Sequence, residues 1–243
     1  MNIQENQIIG ELVAKDYRTA SIFKKYGIDF CCQGTKTIND ACLKNNIDGK
    51  SVVSDLNTLL QSETEKSIDY QNWPIDLLAD YIEKKHHCYV EEKTLEISPY
   101  LDKICRVHGE RHNELFEIKE HFNATADELA AHMKKEEIIL FPYIRKMMQT
   151  RKSNTRHVAP LFGTIQNPIN MMKHEHDTEG NRFKKIEALS NQYTPPLDAC
   201  NTYKVAFALL KEFEQDLHLH IHLENNILFP KAVELEQKLR NNQ

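Results

Sequence analysis

Apolar residues recur at helical spacing along almost the whole chain. Between Ile8 and Tyr26 they fall at positions 8, 9, 12, 13, 19, 22, 23 and 26, one stripe of a helix that Gly27 would end. Ile38 to Asn45 and Val52 to Leu60 predict two more short helices. The stretch Gln61 to Asn72 is polar and reads as a linker, and Trp73-Pro74 opens the next element, since proline suits the first helical position. The chain therefore divides into a small helical domain at 1–62, a linker at 63–74 and a larger unit at 75–243.

Four long helices are expected in the larger unit. The first covers Ile75 to Ile97 and resumes beyond Pro99 to Val107, with the proline as a kink or break. The second starts at Thr125-Ala-Asp-Glu128, a capping box. The third opens at Asn167-Pro168, a cap followed by proline. The fourth runs from about Thr202. Within it Leu217 to Leu223 alternates apolar residues with histidine, a strand-like period of two, but helical flanks on both sides override it. The fold class is all-α, a four-helix bundle beside a small helical amino-terminal domain.

Composition agrees with this and adds exclusions. Apolar residues make up 40% and charged residues 28% of 243, and only 7 glycines argue against a loop-rich or β-rich fold. A net charge of −5 gives no reason to expect nucleic acid. The amino terminus has no apolar leader and no stretch could cross a bilayer, so no membrane partner and a cytoplasmic location are expected. The 6 cysteines lack zinc-ribbon spacing and should be thiols in that compartment.

One phrase occurs twice. His132-x3-Glu136-x3-Leu140-Phe141-Pro142 returns as His220-x3-Glu224-x3-Leu228-Phe229-Pro230, each residue 88 positions later. Side chains four apart project from the same helix face, so each copy offers an imidazole and a carboxylate together. Two such helices face to face would supply two nitrogens and up to four carboxylate oxygens. Carboxylates can bridge two cations and imidazole suits iron, copper and zinc, which points to a transition-metal pair. The order His-x3-Glu differs from the Glu-x-x-His of ferritin-like dinuclear sites. The other two helices offer His86 or His87, and His174 or His176, and spacing alone leaves both choices open.

Taken together, several motifs carry a resemblance. They are Phe30-Cys31-Cys32-Gln33-Gly34, His86-His87-x-Tyr89, Val107-His108-Gly109-x-x-His112, Glu175-His176-Asp177-x-x-Gly180 and the two His-x3-Glu copies. The chain resembles the Repair of Iron Centres family over nearly its whole length. That family consists of hemerythrin-like di-iron proteins with a small amino-terminal domain bearing paired cysteines. The resemblance implies two iron ions held by His87, His132, Glu136, His176, His220 and Glu224, with Glu136 and Glu224 bridging and an oxo or hydroxo group completing the centre. Because His87 and His176 are 89 apart rather than 88, a helical irregularity in one half is also implied. His86, His174, His218 and His222 become supporting or surface residues, His108 and His112 a helix-end hydrogen-bonding pair, and Glu91 a solvated side chain.

The implied function is repair of iron–sulfur clusters damaged by nitric oxide or peroxide, by iron donation or nitric oxide handling. Damaged iron–sulfur proteins or a cluster-assembly scaffold would be the partners, and a homodimer is the family-level expectation. Gly180 stands where oxygen-carrying hemerythrins have a second histidine one turn after the first, which should leave a more open iron. The alternatives are a hemerythrin-type oxygen or nitric oxide sensor, or a structural zinc or manganese site. Cys31 and Cys32 form a second candidate site for thiol or metal-transfer chemistry, and the remaining four cysteines read as structural.

Overall fold

The computed structural model describes residues 3–61 and 68–241, and residues 63–67 of the expected linker lie outside that range. Eight helices are found among the described residues. The amino-terminal unit holds α1 (Ile9–Lys15), α2 (Thr19–Lys25), α3 (Ile38–Asn45) and α4 (Gly49–Gln61). The bundle holds α5 (75–108), α6 (114–153), α7 (Gln166–Leu189) and α8 (201–241). Helix α5 packs on α6 and α8, and α6 and α8 both pack on α7, which closes the ring of four.

Four expectations need correction. Ile8 to Tyr26 is two helices, because Asp16 adopts an extended backbone and its carboxylate takes the Arg18 N–H and guanidinium instead of letting the helix continue. Pro99 does not break α5. Its missing N–H frees the carbonyl of Leu95, but that residue is 78% exposed and water can satisfy it. Helix α6 starts at Glu114, well before Thr125. Leu115, Ile118, Phe122 and Leu129 form a buried stripe that carries the helix through, and Thr125 is buried in mid-helix beside Glu179. Cys88 and Cys200 are exposed, so of the four cysteines read as structural only Cys42 and Cys105 are buried.

Three turns of π-helix interrupt the bundle at Ile82–His87, Glu136–Leu140 and Glu224–Leu228. Two of them follow from the repeated phrase. Pro142 and Pro230 cannot donate to the carbonyls four residues back, and the preceding Phe141 and Phe229 bond instead to Glu136 and Glu224, five residues back. The third gives α5 the irregularity that α7 lacks.

Two apolar clusters fill the molecule. One runs from the amino-terminal unit (Ile9, Phe23, Ile38) into the bundle around Phe122, Phe183 and Phe213. The other, around Ile82, Phe141, Ile169 and Phe229, fills the opposite end. The histidine and glutamate layer lies between them.

Asn226 fastens the amino-terminal unit to α8. Its side-chain amide donates to the carbonyls of Phe30 and Cys31 and meets His222 Nδ1 at 3.0 Å. A Cβ at either Gly10 or Gly34 would lie 2.5 Å from its Oδ1, so both glycines are needed for this approach. Asn226→Ala should leave the Phe30 carbonyl without this donor and the Cys31 carbonyl with Asn225 alone, and cost about 2 kcal/mol. Faster proteolysis of the 63–74 segment at unchanged bundle helicity would register it, and an unchanged cleavage rate would deny Asn226 this role.

Candidate metal centre

Six buried side chains converge in the polar layer. Helix α5 contributes His87, α6 His132 and Glu136, α7 His176, and α8 His220 and Glu224. They form two overlapping sets, His87 with His220 and His132 with His176, and both sets share Glu136 and Glu224. Glu136 Oε2 lies 3.3 Å from His87 Nε2 and 3.4 Å from His132 Nε2. Glu224 mirrors it, at 3.1 Å from His176 Nε2 and 3.3 Å from His220 Nε2.

His132 Nε2 and His176 Nε2 meet each other at 3.2 Å, and the other atoms are hydrogen-bond orphans. Both oxygens of Glu136 and of Glu224 are buried with no hydrogen-bond partner, as are Nε2 of His87 and of His220. A buried unpaired carboxylate is costly unless a cation meets it. The far side of three rings is held. His87 Nδ1 meets Glu137 Oε1 at 3.0 Å, His132 Nδ1 meets Glu175 Oε2 at 2.8 Å, and His176 Nδ1 meets Asn225 Oδ1 at 3.0 Å. Each of these Nδ1–H groups donates outward, which leaves the Nε2 lone pair pointing at the carboxylates, the arrangement found behind metal-bound histidines. The residues present fit a transition-metal site.

Electrostatics agree. Burial opposes the imidazolium of His132, but Glu136 and Glu175 outweigh it and push the group up to about 10. At Glu224 burial favours the neutral acid, yet the imidazoles of His220 and His176 hold the carboxylate well below its usual range. The pocket thus demands positive charge, and divalent cations can replace the protons. Glu175, bonded to His132 and Lys135, is held down to about 2. A cavity of about 270 Å³ reaches His132 and His176 past Glu128, Glu175 and Glu179.

The adjacent histidines part company in the fold. His86 is buried, not at the surface. Its Nδ1 bonds to Asp216 at 3.0 Å and its ring stacks on His220, with centroids 5.6 Å apart. His222 is buried against Tyr17 and Phe30 and His218 faces Phe30, so the alternating histidines of α8 point one into the polar layer and two toward the amino-terminal unit. His174 and Glu91 are exposed. His108 and His112 cap the end of α5, with His112 bonded to Glu114 and Asp198.

Sequence reasoning missed the position of the cysteine pair. Cys31 and Cys32 sit on the outer surface of α7, where the Cys32 sulfur donates to the His176 carbonyl at 3.5 Å. An added Cβ on Gly180 would be 3.2 Å from that sulfur, so the absent side chain makes room for the thiol. Gly180→Leu should strengthen the helix locally yet push the cysteine loop outward. A reaction of Cys32 with a thiol reagent at least tenfold faster is the expected result. Wild-type reactivity in the folded variant would show that the glycine is not needed for docking.

Residues 5–60 match a domain of unknown function, DUF542, and residues 78–232 match the hemerythrin HHE cation binding domain. The chain is similar to the iron-sulfur cluster repair protein YtfE of Yersinia pestis (strain Pestoides F), with 35% identity over 228 residues, 94% of this chain and 97% of the relative. The protein of the same name from Yersinia pseudotuberculosis (serotype IB, strain PB1/+) matches at the same identity and coverage. Among the described residues no helix is long and apolar enough to cross a membrane. With a cation-binding bundle of hemerythrin type behind a paired-cysteine domain, the chain belongs to the family of hemerythrin-domain iron–sulfur cluster repair proteins.

Proposed function

We propose that this chain is a di-iron protein that repairs iron–sulfur clusters damaged by nitrosative or oxidative stress. Its iron ligands are His87, His132, Glu136, His176, His220 and Glu224, in a bundle at 75–243 that a linker at 63–74 joins to a domain at 1–62. The observation that carries the reading is the pair of overlapping His–Glu sets with every carboxylate oxygen unpaired. The relatives named for cluster repair supply the biological direction. Bound iron would supply exchangeable positions for small ligands such as nitric oxide and would itself be the ion donated.

The chain's own residues support release as well as binding. Glu137, Glu175 and Asn225 orient three imidazoles, while His220 Nδ1 has no partner, so one ligand is held less firmly than the others. The cavity beside His132 gives small molecules and ions a path, and the carboxylates of Glu128, Glu175 and Glu179 along it favour cations. Gly180 adds no fifth nitrogen, which favours exchange over oxygen carriage. Damaged iron–sulfur proteins or a cluster-assembly scaffold in the cytoplasm are the partners this reading requires.

The test is restoration of a [4Fe–4S] hydro-lyase inactivated with nitric oxide or peroxide. Anaerobically loaded wild-type protein should recover its activity, and the metal-free protein should not. Recovery at the wild-type rate by Glu136→Ala/Glu224→Ala would overturn the reading.

A further inference from the structure

We propose a second cation site, formed by Asp29, Cys31 and Cys32, that takes one borderline-soft divalent cation at the junction of the two domains. The inference rests on the repair reading only for its role, as a stop for iron in transit. Its geometry stands independently.

The two sulfurs are 3.8 Å apart and not bonded to each other, and Asp29 Oδ1 lies 3.4 Å from the Cys31 sulfur. A tetrahedral ion with metal–sulfur bonds of about 2.3 Å and metal–oxygen bonds of about 2.0 Å needs separations of about 3.8 Å between sulfurs and about 3.5 Å between sulfur and oxygen. The observed distances match both. The His176 carbonyl, 3.5 Å from the Cys32 sulfur, adds an oxygen at the same separation.

The surroundings fit a cation held by thiolates. Asp29 Oδ1 accepts from the Cys32 N–H at 3.0 Å, which fixes the loop, and Oδ2 meets Lys184 Nζ at 2.6 Å. Two thiolates and one carboxylate carry three negative charges, and a divalent cation with Lys184 supplies three positive ones. The Cys32 sulfur and burial together push the Cys31 thiol well up, so Cys31 keeps its proton until a cation displaces it. Binding therefore releases two protons to solvent, with no electron transfer, and strengthens as pH rises. A cavity of about 180 Å³ lined by Lys24, Asp29, Cys31, Lys184, Glu214 and His218 opens onto the site. Soft thiolates beside one carboxylate select iron(II) or zinc over calcium or magnesium.

The test uses the full-length, iron-loaded, reduced protein titrated anaerobically with cobalt(II). One cobalt per chain should enter beyond the iron already bound, with sulfur-to-metal charge-transfer absorption and the intense visible bands of a tetrahedral thiolate site. Cys31→Ser/Cys32→Ser should lose the charge-transfer band, Cys32→Ser should weaken it, and Asp29→Asn should bind at least tenfold more weakly, all with wild-type iron content. Absence of the band in the wild type, or its persistence in the double variant, overturns the proposal. Displacement of cobalt by iron(II) assigns the site to iron in transit, and displacement by zinc alone assigns it to resident zinc. Loss of bundle iron in Glu136→Ala with cobalt uptake intact separates failure of the repair reading from failure of this one.

Discussion

Glu224→Ala is expected to leave the chain without bound metal, whereas the anaerobically purified wild type is expected to carry two irons. The Glu224 carboxylate approaches both His176 and His220 and belongs to both donor sets, so its removal takes an anionic ligand from each cation at once. Two divalent cations beside two carboxylates leave two excess positive charges, and beside one carboxylate they leave three, in a layer enclosed by apolar clusters. Repulsion of that kind is poorly screened in a buried site. Glu136→Ala should behave in the same way, for the same reason. Metal analysis on the anaerobic proteins decides it. Two irons retained in either variant would refute the bridging role, and a single retained ion would limit it to one of the two sites.

Phe213→Ala is expected to destabilise the fold by about 4 kcal/mol. Phe213 is fully buried on α8, with Phe122 against it at 5.4 Å edge-on and Phe183 stacked at 5.6 Å. These rings come from three of the four bundle helices and cannot all close over the space an alanine would leave. For a chain of this length that loss corresponds to a fall in melting temperature of about 10 °C. Iron content at low temperature should stay near wild type, because the rings against Phe213 are Tyr89, Phe122 and Phe183 and none of them belongs to the six candidate ligands. A melting temperature within 2 °C of wild type would show that the cluster repacks. Joint loss of iron and stability would instead mean that the aromatic floor sets ligand geometry.

Much of this was legible in the sequence because the information was local. The His-x3-Glu spacing puts both side chains on one face whatever the rest of the chain does, and the Leu-Phe-Pro that follows marks each pair as lying next to core. The short helix Ile38–Asn45 was legible to the residue, stopped by Asn46 in a left-handed conformation. The failures were cases where distant packing overrode a local signal. Thr125 and Glu128 look like a cap, yet Leu115, Ile118 and Phe122 find a buried seam that extends the helix through them. Pro99 looks like a break, yet its freed carbonyl faces water. The choice between His86 and His87 depends on a π turn that no periodicity announces. The contact of Cys32 with Gly180 joins residues from different domains, and only docking brings them together.

Asn225 holds both domains at one point, since its Oδ1 accepts from the Nδ1–H of His176 and its amide donates to the Cys31 carbonyl at 3.3 Å. A candidate metal ligand and the cysteine loop therefore share one side chain. Thermodynamic reciprocity then applies, so that whatever free energy a cation on His176 lends to docking of the amino-terminal unit, docking lends back to retention of that cation. On the repair reading, anything that draws the amino-terminal unit off α8 would loosen a cation on His176 by the same factor.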